Sequence, residues 1–266
     1  MNNLSDLLLI AFKASVDAGK AIMDIYSSND FDIQLKSDDS PLTKADLAAH
    51  NIIVSQLEST NIPILSEEDA NFPYSERSKW NLFWLVDPLD GTKEFIKKND
   101  EFTVNIALIK DGKPILGMVY LPVFKSMYFG AEGIGSFYTE GLTESSTEKI
   151  IQYSEQLPRF NTQIYTLVGS RSHMNEKTQS YFTEIEKKHG KIDIISKGSS
   201  LKLCMVAEGS ANEYPRFGPT MEWDTAAGHA VALFSGARVT KEDHQTDLNY
   251  NKENLLNPFF IVKRDL

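Results

Sequence analysis

At 266 residues, with 27 Lys plus Arg against 37 Asp plus Glu, the chain carries a formal charge of −10. A surface of that sign repels polyanions, which argues against a general nucleic-acid binder; any phosphate handled here is expected to be held by metal or by local backbone donors. The length suffices for one large domain or two joined halves around a sizeable core. The one cysteine, Cys204, excludes an intrachain disulfide and fits a reducing compartment.

The first apolar run, Leu7 to Phe12, lacks a basic leading region and is bracketed by Asp6 and Lys13, so it does not read as a signal peptide. No run approaches the roughly 18 apolar residues that a membrane-spanning helix needs. Leu4, Leu7, Leu8, Ala11, Ala14, Ala18, Ala21, Ile22 and Ile25 recur at three- and four-residue steps and predict a long amphipathic helix over 4–26. After Pro41, Thr43 opens a second helix with Ala45, Ala49, Ile52, Ile53 and Leu57 on one side. Strands are expected at Ile62–Leu65 and Phe83–Val86. Alternation over Thr103–Ile109 and the Asp111-Gly112 turn into Ile115–Leu121 predict a hairpin, which Ser126–Phe129 and Gly135–Tyr138 extend into an antiparallel sheet.

Residues 140–150, rich in Thr, Ser and Glu, mark a boundary between an α+β half, 1–150, and an α/β half, 151–266. The second half alternates: strand Tyr165–Gly169, helix 175–189, strand Ile192–Ile195, helix 199–208, strand Ala211–Tyr214, helix 224–235, then short strands at Arg238–Thr240 and Phe259–Val262. Cys204, within Leu201-Lys202-Leu203-Cys204-Met205-Val206, reads as a buried thiol in a helix.

The chemistry-bearing stretch is Trp84-Leu85-Val86-Asp87-Pro88-Leu89-Asp90-Gly91-Thr92-Lys93-Glu94-Phe95, in which an apolar strand runs into two carboxylates and a turn. Asp87 and Asp90 fall at a strand's carboxyl end, where open α/β sheets bind ligands, and Gly91 gives the turn its backbone freedom. Ser66-Glu67-Glu68-Asp69 follows another strand and would sit beside them. Converging carboxylates repel one another unless cations neutralise them, and all-oxygen ligands favour hard ions such as Mg²⁺. Each acid also has a structural reading: Ser66 and Asp69 match a capping box, Asp224 is placed as an N-cap, and Thr43-Lys44-Ala45-Asp46 is itself a capping-box pattern. Gly169-Ser170-Arg171-Ser172-His173 and Lys197-Gly198-Ser199-Ser200-Leu201-Lys202 could each hold an anion, or could simply cap helices.

Together, Leu65-Ser66-Glu67-Glu68-Asp69, the Trp84–Phe95 segment and Trp223-Asp224-Thr225-Ala226-Ala227-Gly228-His229-Ala230 resemble the lithium-sensitive, magnesium-dependent phosphatases of the inositol monophosphatase superfamily. Lys93-Glu94-Phe95, Thr225 and Tyr214-Pro215-Arg216-Phe217-Gly218-Pro219-Thr220 are similar to its 3'(2'),5'-bisphosphate nucleotidase branch. The resemblance implies a layered α/β/α/β/α sandwich, the type shared with fructose-1,6-bisphosphatases. It implies two or three Mg²⁺ ions on Glu67, Asp87, Asp90, Asp224 and the carbonyl oxygen of Leu89, with Glu68 outside them. Asp46 and Thr92 would orient and deprotonate the attacking water, although Lys44 stands where a small residue is common. Glu67, Leu89, Gly91, Thr92, Ser170, His173, Gly198, Lys202 and Asp224 would surround a small nucleotide substrate.

The reaction implied is hydrolysis of the 3'-phosphate of adenosine 3',5'-bisphosphate without a covalent intermediate, in sulfur assimilation, with the 3'-phospho form of activated sulfate as a second substrate. An inositol monophosphatase and a catalytically silent nucleotide or anion sensor remain the alternatives. The cytoplasm is the expected location, the cytoplasmic face of the inner membrane being a location assigned to some relatives. No oligomeric state is readable.

Overall fold

The computed structural model describes residues 3–28, 30–35, 41–141, 146–170 and 175–264. Its helices are α1 (Leu4–Ser28), α2 (Lys44–Leu57), α3 (Tyr74–Arg77), α4 (Thr92–Ile96), α5 (Thr147–Gln152), α6 (Glu176–His189), α7 (Leu201–Glu208) and α8 (Glu222–Phe234). The first nine strands are β1 (Gln34–Leu35), β2 (Pro41–Leu42), β3 (Ile64–Ser66), β4 (Leu82–Asp90), β5 (Thr103–Lys110), β6 (Lys113–Leu121), β7 (Ser126–Ala131), β8 (Gly135–Glu140) and β9 (Glu155–Gln156). The remaining five are β10 (Tyr165–Ser170), β11 (Ile192–Lys197), β12 (Glu213–Arg216), β13 (Arg238–Lys241) and β14 (Phe260–Lys263).

Strands β3 to β9 form one sheet in sequence order, with β3 and β4 parallel and every later pair antiparallel. A second sheet runs β11-β10-β12-β14-β13, and β1 pairs with β2 in a small hairpin. The last strand of the first sheet, Glu155–Gln156, lies beyond the 140–150 segment, which itself leads into α5.

Period-two side-chain alternation explains the layering. Trp84 and Val86 of β4 face a core shared with Leu8, Phe12 and Ile22 of α1 and Ile53 of α2, whereas Phe83 and Leu85 face a core shared with Val206 of α7, Ala227 and Val231 of α8, and Phe260 and Val262 of β14. A third, smaller cluster joins Tyr165 and Leu167 to Phe182 and Ile185 of α6. The order is therefore α1/α2, first sheet, α7/α8, second sheet, α6: the α/β/α/β/α sandwich. Buried on both faces, β4 reads as an unbroken apolar run, and it continues through Pro88 to Asp90 rather than stopping at Val86.

The small-residue helix α8 lies directly on the first sheet. A Cβ at Gly117 of β6 would stand 2.3 Å from the Ala227 carbonyl oxygen and 2.7 Å from the Ala230 methyl. Gly117→Ala is therefore expected to destabilise the fold by about 1–3 kcal/mol, because the sheet and helix are both rigid at the contact. Chemical denaturation checks this, and an unchanged midpoint would mean that α8 can move away freely. Among the described residues, no helix is long and apolar enough to cross a membrane.

Candidate active site

Strand register assembles the acids. The parallel pairing of β3 with β4 sets Ser66 beside Val86, and the Glu67 amide donates to the Val86 carbonyl at 3.0 Å, so Glu67 emerges next to Asp87. On the other side, β5 sets Asn105 opposite Asp87 and Thr103 opposite Asp90. Gly91, at φ +97, turns the chain into α4. The fourth acid comes from the second half of the chain: Asp224 sits in the first turn of α8, where its Oδ2 accepts the Met221 amide at 2.9 Å.

The electrostatics show how near these groups are. Burial, then the charges of Glu67, Asp90 and Asp224, push the Asp87 carboxyl well above the usual carboxylate range. Burial, then Asp90 and Glu67, push Asp224 up to about 8. Among the described residues, no three His, Cys, Asp or Glu side chains form a closed chelating group. Acids gathered around the buried Asp87, with the Leu89 carbonyl beside them and no Cys or His among them, suit a hard divalent cation better than zinc.

Asp46 and Thr92 are hydrogen-bonded to each other. Thr92 Oγ1 donates to Asp46 Oδ1 at 3.2 Å and lies 3.3 Å from the Leu89 carbonyl oxygen. The other Asp46 oxygen completes the capping box, accepting the Thr43 amide at 2.7 Å and lying 2.6 Å from the Thr43 hydroxyl. The capping and catalytic readings of Asp46 thus use different oxygens. Lys44 forms an ion pair with Asp30.

Next to the acids opens a cleft of about 140 Å³, bounded by Asp90, Gly91 and Asp224 on one side and by Lys202, Tyr214 and Arg216 on the other. Lys202 is buried, donates to the Ser199 carbonyl at 2.6 Å, and is held down to about 8 by that burial. Arg216 gives one guanidinium hydrogen bond to the Pro219 carbonyl at 2.8 Å, but its buried Nε has no partner. Ser199, at φ +43, also lines the cleft, and its buried hydroxyl is likewise unpartnered. Lys202, Arg216 and Ser199 line one cleft together, and two cations beside a hydroxyl are the complement of an anion's oxygens.

The pattern of the inositol monophosphatase family matches residues 3–262. The chain belongs to that family. It is 48% identical over 250 residues to the 3'(2'),5'-bisphosphate nucleotidase CysQ of Salmonella typhimurium, covering 92% of this chain and 95% of the relative. Its fold matches the crystal structure of CysQ from Bacteroides thetaiotaomicron, a bacterial member of the inositol monophosphatase family, with a TM-score of 0.91, 45% identity, and coverage of 99% and 100%. The suhB protein of Bartonella henselae matches at TM-score 0.73 and 21% identity, a likeness of fold alone.

Within this inositol monophosphatase family member, several local expectations need correction. Ser66 to Asp69 make a turn closed by a Ser66–Asp69 bridge, not a helix start, and Ser66 meets His50 Nδ1 at 2.9 Å. Asp224 is the third residue of α8, and Met221 takes the N-cap position. The Gly198 amide donates to Glu101 Oε2 at 2.8 Å, so Gly198 lines the cleft without offering that N–H. Cys204 is buried, as expected, and burial raises its thiol. Ser170 closes β10; its side chain and His173 lie outside the described residues.

Four functional candidates are not legible in the sequence. Arg216 lies in Tyr214-Pro215-Arg216-Phe217-Gly218-Pro219-Thr220, where nothing in the sequence singles it out. Asn105 and Thr103 are the polar members of the β5 alternation, which by itself reads as an ordinary polar face, yet both are buried. Ser200 was read only as part of a capping or anion loop.

Proposed function

We propose that this protein is a cytoplasmic, Mg²⁺-dependent 3'(2'),5'-bisphosphate nucleotidase that hydrolyses the 3'-phosphate of adenosine 3',5'-bisphosphate to AMP and phosphate, and also takes the 3'-phospho form of activated sulfate. Its place is sulfur assimilation, in line with its CysQ relatives. The observation that carries the substrate assignment is the pairing, in one cleft, of a buried acid cluster with the buried cations Lys202 and Arg216, the latter with an unmet Nε.

Glu67, Asp87, Asp90, Asp224 and the Leu89 carbonyl would hold two or three Mg²⁺ ions. Bound there, Mg²⁺ would neutralise the phosphate oxygens, activate water and stabilise the departing ribose oxygen in an in-line displacement. The chain supplies the rest. Thr92 Oγ1, donating to Asp46, accepts a hydrogen bond from the attacking water and takes up its proton as its own hydroxyl proton passes to Asp46. Lys202 and Arg216 grip the substrate's second phosphate, with the Ser199 hydroxyl as a further donor. Both halves, 1–150 and 151–266, are needed: the first brings the base and most of the acids, the second Asp224 and the cations. Buried Cys204 has no part in the chemistry.

An inositol monophosphate brings a single phosphate and would leave the Lys202–Arg216 side of the cleft without an anion. Phosphate release from a panel of inositol, sugar and nucleotide phosphates is expected to be fastest with adenosine 3',5'-bisphosphate and to stop when a chelator removes the metal. Appreciable turnover of inositol phosphate with none of the bisphosphate nucleotide would overturn the assignment.

A further inference from the structure

We propose that Ser200, together with Asn105, is a positioning residue that dictates which oxygen of Asp90 faces the divalent cation; the inference rests on the metal reading given above. Both residues are 1% exposed. Asp90 Oδ2 accepts the Ser200 amide at 2.7 Å and the Asn105 Nδ2 at 3.2 Å, and the Ser200 hydroxyl lies 2.7 Å away. The Thr103 hydroxyl stands at 3.5 Å and also donates to Asn105 Oδ1 at 3.1 Å, which fixes the orientation of that amide. A carboxylate oxygen has two lone pairs. Oδ2 is therefore saturated by its neighbours, and Oδ1 is the oxygen Asp90 presents to a cation.

Ser200 reaches farther than Asp90. Its Oγ lies 2.8 Å from the Asp224 carbonyl oxygen and accepts from Asn105 Nδ2 at 2.8 Å. One hydroxyl thus touches the end of β4, the strand β5 and the first turn of α8, so it registers Asp90 from the first half of the chain against Asp224 from the second. Ser200 stands at the N-cap position of α7 but has helical φ and ψ, −68 and −6, and makes no side-chain cap bond. A capping serine would be extended and turned toward its own helix. Here the hydroxyl is turned to the acids instead.

Groups that hold metal ligands in place typically matter by 10–100-fold in metal affinity. The test is calorimetric titration of chelator-treated protein with Mg²⁺, comparing wild type, Ser200→Ala, Asn105→Ala and the double variant. Each single variant is expected to bind Mg²⁺ about 10–100-fold more weakly. The double variant should lose much less than the product of the two, since both act on the same oxygen, and saturating Mg²⁺ should restore kcat to within a few-fold. Wild-type affinity within twofold in both single variants would overturn the proposal, as would losses that multiply. If Ser200→Ala does not fold, the Asn105→Ala titration decides alone by the same thresholds. A wild-type protein that binds no Mg²⁺ would instead remove the metal reading itself.

Discussion

Replacing Asp90 by asparagine is expected to lower kcat/KM for adenosine 3',5'-bisphosphate by at least about a hundredfold. The side chains are nearly isosteric, so the loss reports charge and hydrogen-bond polarity. Asp90 Oδ2 faces the Ser200 and Asn105 donors. If the asparagine keeps its oxygen there, its amide hydrogens point at the cation; if it flips, they meet the Ser200 N–H. Either arrangement removes one negative ligand from the cluster that also contains Asp87 and Asp224. Steady-state rates over a range of Mg²⁺ check this, because a variant defective in metal binding alone recovers as Mg²⁺ rises. An unchanged rate would take Asp90 out of the mechanism, and would favour a binding protein over an enzyme if wild-type turnover were also absent.

Arg216→Ala is expected to raise KM for the bisphosphate nucleotide by about 10–100-fold, since a hydrogen bond to a charged group contributes about 1.5–3 kcal/mol. The same change should leave the hydrolysis of 3'-AMP, which lacks the second phosphate, nearly untouched. That contrast is the informative part. A general packing defect would harm both substrates, as Arg216 is only 8% exposed and its guanidinium supports the Pro219 carbonyl. Equal losses on the two nucleotides would therefore assign Arg216 to structure and leave Lys202 as the cation for the second phosphate. Kinetics on the two substrates, with the thermal midpoint of the variant as a control, separate these cases.

Local signals carried a large part of the site. Thr43 and Asp46 form the capping box written in their spacing, and the same spacing leaves one Asp46 oxygen for Thr92. Gly91 takes the positive φ that its turn position called for. The small residues of α8 do let it close on the sheet. Where local reading failed, a tertiary partner had taken over the group. Ser66 pairs with His50 across α2, so it does not cap. Ser200 reads as a cap in Lys197-Gly198-Ser199-Ser200, but the carboxylate of Asp90 is a stronger acceptor than any helix end offers. Gly198 spends its amide on Glu101, from the first half of the chain.

What the sequence by itself determined is the order and type of the elements and the carboxylates at the ends of β3 and β4. Those follow from side-chain periodicity and turn chemistry, which act over a few residues. Only the tertiary structure decided that Ser200 joins Asp90 to Asp224 across well over a hundred residues, and that Arg216 lies in their cleft with an unmet Nε. These are contacts between distant segments, set by how α7 and α8 pack between two sheets, and no local pattern encodes them. The acids alone describe a place for cations; the packing that brings Lys202 and Arg216 to the same cleft describes a place for a second phosphate.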